Sequence, residues 1–154
     1  MNKILGTRSL CYKMKNTSNN LCRFCNSLEE STSHVFVQCT FSHLLWQEVK
    51  NWVENITCIT FNLFERSLIL GLDTNFWVSK LFMIVKFYIY KSLIKDNCLN
   101  FRALKHFIQN IYEEQQYMSL ISHTNAKFNK KCHLISLLVQ TIWKPLLCLC
   151  WPLC

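Results

Sequence analysis

Four side chains able to bind a soft metal ion fall close together, Cys22, Cys25, His34 and Cys39, within the run LCRFCNSLEESTSHVFVQCTFSHLLW from Leu21 to Trp46. The Cys22-Arg-Phe-Cys25 spacing lets two thiolates leave one tight turn and take adjacent corners of a tetrahedron, at Zn–S distances of about 2.3 Å. His34 and Cys39 supply the other two corners, so the run reads as a structural zinc site. Four protein ligands leave no open position for water, and the chemistry implied is folding and not hydrolysis. A Cys-x-x-Cys alone is a weak signal, and His and Cys at short range beyond it strengthen it; the competing reading is buried cysteines in a cysteine-rich chain. His43 is an alternative to His34, although it falls on the polar face of the following helix. Cys11 and Cys58 are single cysteines, more often small core residues than ligands.

The elements around these residues must bring them together. In a straight α-helix, residues five apart sit ~140° apart around the axis, so His34 and Cys39 share one metal only if the helix tightens or ends between them. The expectation is a short helical turn from about Thr32, capped by hydroxyls of Ser31-Thr32-Ser33 and broken near Gln38. After Cys39, the stretch FSHLLWQEVKNWVEN places Phe41, Leu44, Leu45, Val49, Trp52 and Val53 on one stripe, with Ser42, Gln47, Glu48, Lys50, Asn51 and Glu54 opposite. That pattern is an amphipathic helix. Its first half should pack on the metal turn, because Phe36 and Trp46 need a common core.

Upstream, Ile4, Leu5, Leu10 and Met14 permit a short helix to about Lys15, and Asn16 to Asn20 reads as a polar linker. Downstream, ITCITF is rich in β-branched residues and reads as a short extended piece, with a turn at Gly71 and Asp73. Phe76 to Lys95 is nearly apolar, with Lys80, Lys91 and Lys95 on one edge and Lys86 apart, as in a buried helix with a basic border. Asn100 can cap a further helix, FRALKHFIQNIYEEQQYMSLI, in which Phe101, Leu104, Ile108, Ile111 and Met118 recur at helical spacing. The short connection between these two long segments predicts an antiparallel hairpin. His123 to Lys131 reads as a polar, basic linker, and the residues beyond as an apolar tail broken by Lys144-Pro145 and Pro152.

A chain of 154 residues is one domain's worth, too short for a polymerase, and 51% hydrophobic against 17% charged residues excludes disorder. The net charge of +8 favours polyanionic partners without naming one. The N-terminus has no secretory pattern and no uncharged run reaches the length of a membrane span. The ten cysteines are therefore expected as thiols or metal ligands in the cytoplasm or nucleus, with no membrane association. Two-metal polymerase or nuclease chemistry needs clustered carboxylates. Asp73 and Asp96 are the only aspartates and are not paired, and Glu29-Glu30 and Glu113-Glu114 read as solvated helix faces. His106, His123 and His133 have no partners in sequence.

Cys-x-x-Cys, the acidic pair Glu29-Glu30, then Ser33-His34-Val35-Phe36, Cys39 and Trp46 resemble the zinc-binding segment near the C-terminus of non-LTR (LINE-type) retrotransposon reverse transcriptases. A second stretch, LFMIVKFYIYKSLIKDNCLNFRALKHFIQNIY from Leu81 to Tyr112, is similar to the helical region that follows it in that family. Cys11 matches no family ligand, and nothing beyond about Cys132 has a counterpart. The resemblance implies binding of the element's own RNA or of target DNA, or contact with the rest of a reverse transcriptase. The family's catalytic parts would lie upstream, so no enzymatic activity transfers.

Arg8, Lys13, Lys15 and Arg23 flank the metal turn, with Phe24 beside the last of them. Cations next to an exposed ring are what single-stranded RNA recognition uses, charge for phosphates and a ring for stacking. The competing reading is a solvated face with Phe24 packed inward. The expected fold is mainly α, a CCHC zinc-stapled turn followed by an amphipathic helix and a long antiparallel helical hairpin. Its parts are a zinc-binding segment with its helix (1–58), a helical region (59–131) and an apolar tail (132–154), poorly ordered or extraneous, in which Cys148, Cys150 and Cys154 suggest acylation or a second metal site but read more simply as sequence never selected to fold. The expected function is a non-catalytic zinc-dependent nucleic-acid-binding module; the alternatives are a zinc-stabilised protein-interaction scaffold and a degenerate fragment without activity.

Overall fold

The computed structural model describes residues 6–58 and 76–142. Its elements in chain order are α1 (Arg8–Lys13), a single π-turn (His34–Gln38), α2 (Thr40–Thr57), α3 (Phe76–Ile94), α4 (Phe101–Ile121) and α5 (Asn125–Ile142). The architecture is mainly helical, as the sequence predicts. Among the described residues, β-structure is confined to an isolated antiparallel bridge between Leu21 and Glu29.

Local chemistry sets the helix ends. Thr7 starts α1, its Oγ1 accepting from the Leu10 N–H, so the helix begins later than the apolar positions suggested. α2 stops where Cys58 turns left-handed at φ 54°, its N–H bonded to the Glu54 carbonyl. Asp96 turns the chain out of α3 at φ 51°, and the Asn97 N–H closes back on the Ser92 carbonyl at 3.0 Å. Asn100 then caps α4 by accepting from the Ala103 N–H at 3.1 Å. The Tyr88 hydroxyl accepts from the Asn100 N–H and donates to its carbonyl, which fastens this connection to α3.

α3 is the central helix. Leu81, Phe82, Val85, Ile89 and Leu93 are all wholly buried. Phe82 meets the edge of Trp46 from α2, with ring centroids 5.3 Å apart. Contacts between α3 and α4 pair Lys80 with Gln115 and Tyr88 with Phe107, so one numbering climbs as the other falls. That is the expected antiparallel hairpin. α5 folds back along α4, with Tyr112 against Phe128, and closes the core with Ile135, Leu138 and Val139.

Five expectations need correction. The segment 123–131 is not a linker: from Asn125 it forms the first turns of α5. The apolar tail is not extraneous as far as Ile142, because Cys132, Ile135, Leu138 and Val139 are buried at helical spacing; a boundary at 131/132 would cut through a helix. In α2 the buried stripe is rotated from the one expected, with Phe41 and Leu44 about half exposed and Ser42 and Trp46 inside. Met118 of α4 is 62% exposed, so the apolar row ends before it. Ile56 and Thr57 of the ITCITF piece end α2 instead of running extended, and Cys58 caps it; residues 59–61, the Gly71–Asp73 turn and the cysteines at 148, 150 and 154 lie outside the described residues.

Candidate metal centre

Two local structures bring the ligands together. The first is a narrow loop closed by the bonds from the Cys22 N–H to the Leu28 carbonyl and from the Glu30 N–H to the Asn20 carbonyl, both 2.8 Å. Within it the Asn26 N–H bonds the Cys22 carbonyl, and Asn26 takes φ 52°, a left-handed conformation that asparagine tolerates better than most residues. This turn aims Cys22 and Cys25 the same way. The second is the π-turn. Ser31 starts it, its Oγ accepting from the His34 N–H at 3.1 Å, and the Cys39 N–H bonds the His34 carbonyl at 2.7 Å.

That last bond spans five residues, where an α-helix spans four. The helix therefore widens between His34 and Cys39; the sequence reading allowed for tightening or an end. In the wider turn the residue five positions on comes round beneath the first, which removes the angular mismatch of a regular helix. The three sulfurs and one His34 ring nitrogen all lie within 4.8 Å of one another. Cys25 Sγ is 3.3 Å from His34 Nε2, and Cys22 Sγ is 3.9 Å from Cys39 Sγ.

Cys22 and Cys39 are wholly buried and His34 is nearly so, while Cys25 is partly exposed. The hydrogen bond with Cys39 pushes the Cys22 thiol down to about 5, against the opposing effect of burial. The same bond, with burial, raises Cys39. To bind a cation the thiols must give up their protons, and the lowered Cys22 gives up its own most readily of the pair. All described cysteines are free thiols. The arrangement can hold a metal ion.

Behind the cluster lies a residue that the sequence reading misplaced. Glu30, expected on a solvated face, is wholly buried. Its carboxylate accepts from the Arg8 and Arg23 N–H groups at 2.6 and 2.9 Å and from the Arg23 guanidinium at 2.8 and 3.1 Å. Burial alone would raise this carboxyl; the Arg23 guanidinium and the two backbone donors outweigh it and hold it below the usual range. Arg23 also donates to the Leu93 carbonyl at 3.1 Å, at the C-terminal end of α3, where the Asp96 N–H reaches the same oxygen at 3.4 Å. Glu30 therefore ties α1 to the ligand loop, and Arg23 ties the loop to α3. The available signal was an arginine inside the Cys-x-x-Cys turn and an acid before the histidine.

The other expected site residues separate. Lys13 and Lys15 are exposed at the end of α1. Arg8 is half-buried and donates to the Leu21 carbonyl, and Arg23 is committed to Glu30. Phe24 packs partly against the core. His43 is exposed and meets Gln47 one turn on, outside the cluster, as are Cys11 and Cys58. No described helix is long and apolar enough to cross a membrane. No protein-family model, curated protein or solved structure matches this chain.

Proposed function

We propose that the chain is a non-catalytic nucleic-acid-binding module whose fold depends on one zinc ion held by Cys22, Cys25, His34 and Cys39. The observation that carries the reading is the convergence of these four ligand atoms within 4.8 Å, from a closed loop and a π-turn. Zinc suits the donor set. A tetrahedron of 2.3 Å Zn–S bonds has edges of ~3.8 Å, and Cys22 Sγ to Cys39 Sγ is 3.9 Å. Four protein ligands leave no position for substrate, so the ion's contribution is to folding.

Nucleic acid as the partner is supported by the excess of basic residues and by the exposure of Lys13 and Lys15 beside the loop. The resemblance of the Leu21–Trp46 and Leu81–Tyr112 stretches to the C-terminal part of LINE-type reverse transcriptases points the same way. Arg23 is better assigned to the fold than to phosphate. The zinc-loaded chain should bind single-stranded RNA with an affinity that falls steeply with salt. Lys13→Gln with Lys15→Gln should reduce the salt slope by about 1.4, at ~0.7 per phosphate contact. A folded, metal-loaded chain that fails to bind at ~50 mM salt rejects the nucleic-acid reading. It leaves the protein-interaction scaffold, which the exposed Phe41, Leu44, Tyr117 and Met118 favour.

A further inference from the structure

The connection between α3 and α4 separates two adjoining depressions of different chemistry. The first is a groove of about 380 Å³ between the two helices, lined on one side by Lys91 and Lys95 and on the other by His106 and Asn110, with Tyr88 and Phe107 also contributing. Among the described residues no carboxylate lines it. The Lys91 ammonium stands 5.1 Å from the centre of the Phe107 ring, which holds it in place and leaves its N–H groups available. The second is a slot of about 100 Å³ lined by Phe24, Phe41 and Leu99, with Arg23, Asp96 and Asn97 as its polar groups, the Arg23 guanidinium being already paired with Glu30. Asn97 borders both depressions, so they adjoin.

The two halves divide the chemistry of a nucleotide. Cationic and amide donors without acidic neighbours suit a run of phosphates. At the slot the Arg23 guanidinium is engaged by Glu30, and the Asp96 carboxylate disfavours phosphate there yet can accept N–H groups from a base edge. Phe41 is 49% exposed although it belongs to an amphipathic helix, which leaves a ring face free for stacking. The Tyr88–Asn100 bonds described above hold the connecting loop, so the slot is preformed.

Resting on the nucleic-acid reading above, we propose that single-stranded nucleic acid runs along the α3–α4 groove with phosphates on Lys91 and Lys95 and one base in the slot at Phe41. This runs the contact surface from the α3–α4 groove to the edge of the metal loop, where Arg23 and Phe24 border the slot. The test is titration of the full zinc-loaded chain with a labelled mixed-sequence single-stranded RNA across a salt series. Because these side chains are exposed, Lys91→Gln with Lys95→Gln and Phe41→Ala should both keep wild-type zinc content and helicity. The lysine pair should lower the salt slope by about 1.4. Phe41→Ala should weaken binding roughly 5- to 150-fold, the equivalent of ~1–3 kcal/mol, at unchanged slope. Wild-type RNA binding that survives both changes intact overturns the groove and spares the module. Absence of RNA binding by the wild type overturns both.

Discussion

At the scale of single residues, Glu30 shows how a charge can belong inside a protein. A buried carboxylate is tolerable only when its acceptor capacity is filled, and here two backbone N–H groups and one guanidinium fill it. Removing the partner while keeping the charge is the damaging change, so Arg23→Ala should cost ~3–5 kcal/mol. The pH dependence follows from the direction of the shift. Glu30 has a lower pKa folded than unfolded. Its ionisation therefore stabilises the fold fully above the ordinary carboxylate value of about 4.3, and that contribution is lost as pH falls through the lower folded value. The stability gap between wild type and Glu30→Gln should be constant from neutral pH to about pH 5 and shrink below it. Denaturant titrations at a series of pH values check this, and taking the difference cancels effects the two proteins share. A gap that ignores acid would mean that the carboxyl does not ionise in the fold. None of this was legible in Glu29-Glu30 as written, because the partners lie 22 and 7 residues upstream, the nearer one inside the ligand turn itself.

At the scale of elements, α2 and the π-turn are held together by two side-chain donors. Ser42 Oγ donates to the Val35 carbonyl at 2.5 Å and Trp46 Nε1 donates to the Phe36 carbonyl at 2.7 Å, both in buried surroundings. These bonds explain the rotation of the buried stripe: hydrophobic periodicity put Ser42 outside, whereas a widened turn presents carbonyls that need donors. Ser42→Ala should cost ~1–3 kcal/mol by leaving a buried carbonyl short of a partner. Phe41→Ala, one residue away and half exposed, should change stability by no more than about 0.5 kcal/mol. Thermal melts of the two variants compare them directly, and equal losses would restore the stripe expected from periodicity. The ligand spacing, the Ser31 cap and the break before α2 were readable because they depend on neighbours in sequence. The π-turn was not, since widening and ending a helix leave the same local pattern. α5 was hidden for another reason: Lys127, Lys130 and Lys131 make its first turns look like linker, and its burial comes from packing along α4 and against α2 and α3, which local sequence does not show.

At the scale of the whole molecule, α3 receives the ligand loop through Arg23, α2 through Trp46 and Phe82, and α4 and α5 along its length. The metal cluster thus sits at one end of a helical core that has its own buried apolar contacts. Loss of the ion should release the ligand loop, the π-turn and α1 first, because these short elements have few other means of burial. Metal analysis of the purified chain, with far-UV circular dichroism before and after chelation, tests the central claim most directly. One zinc per chain is expected, lost in Cys25→Ser and in His34→Ala and kept in Cys11→Ser, with chelation reducing helical signal in parallel. Equal zinc in the wild type and Cys25→Ser, or a spectrum indifferent to chelation, would contradict it.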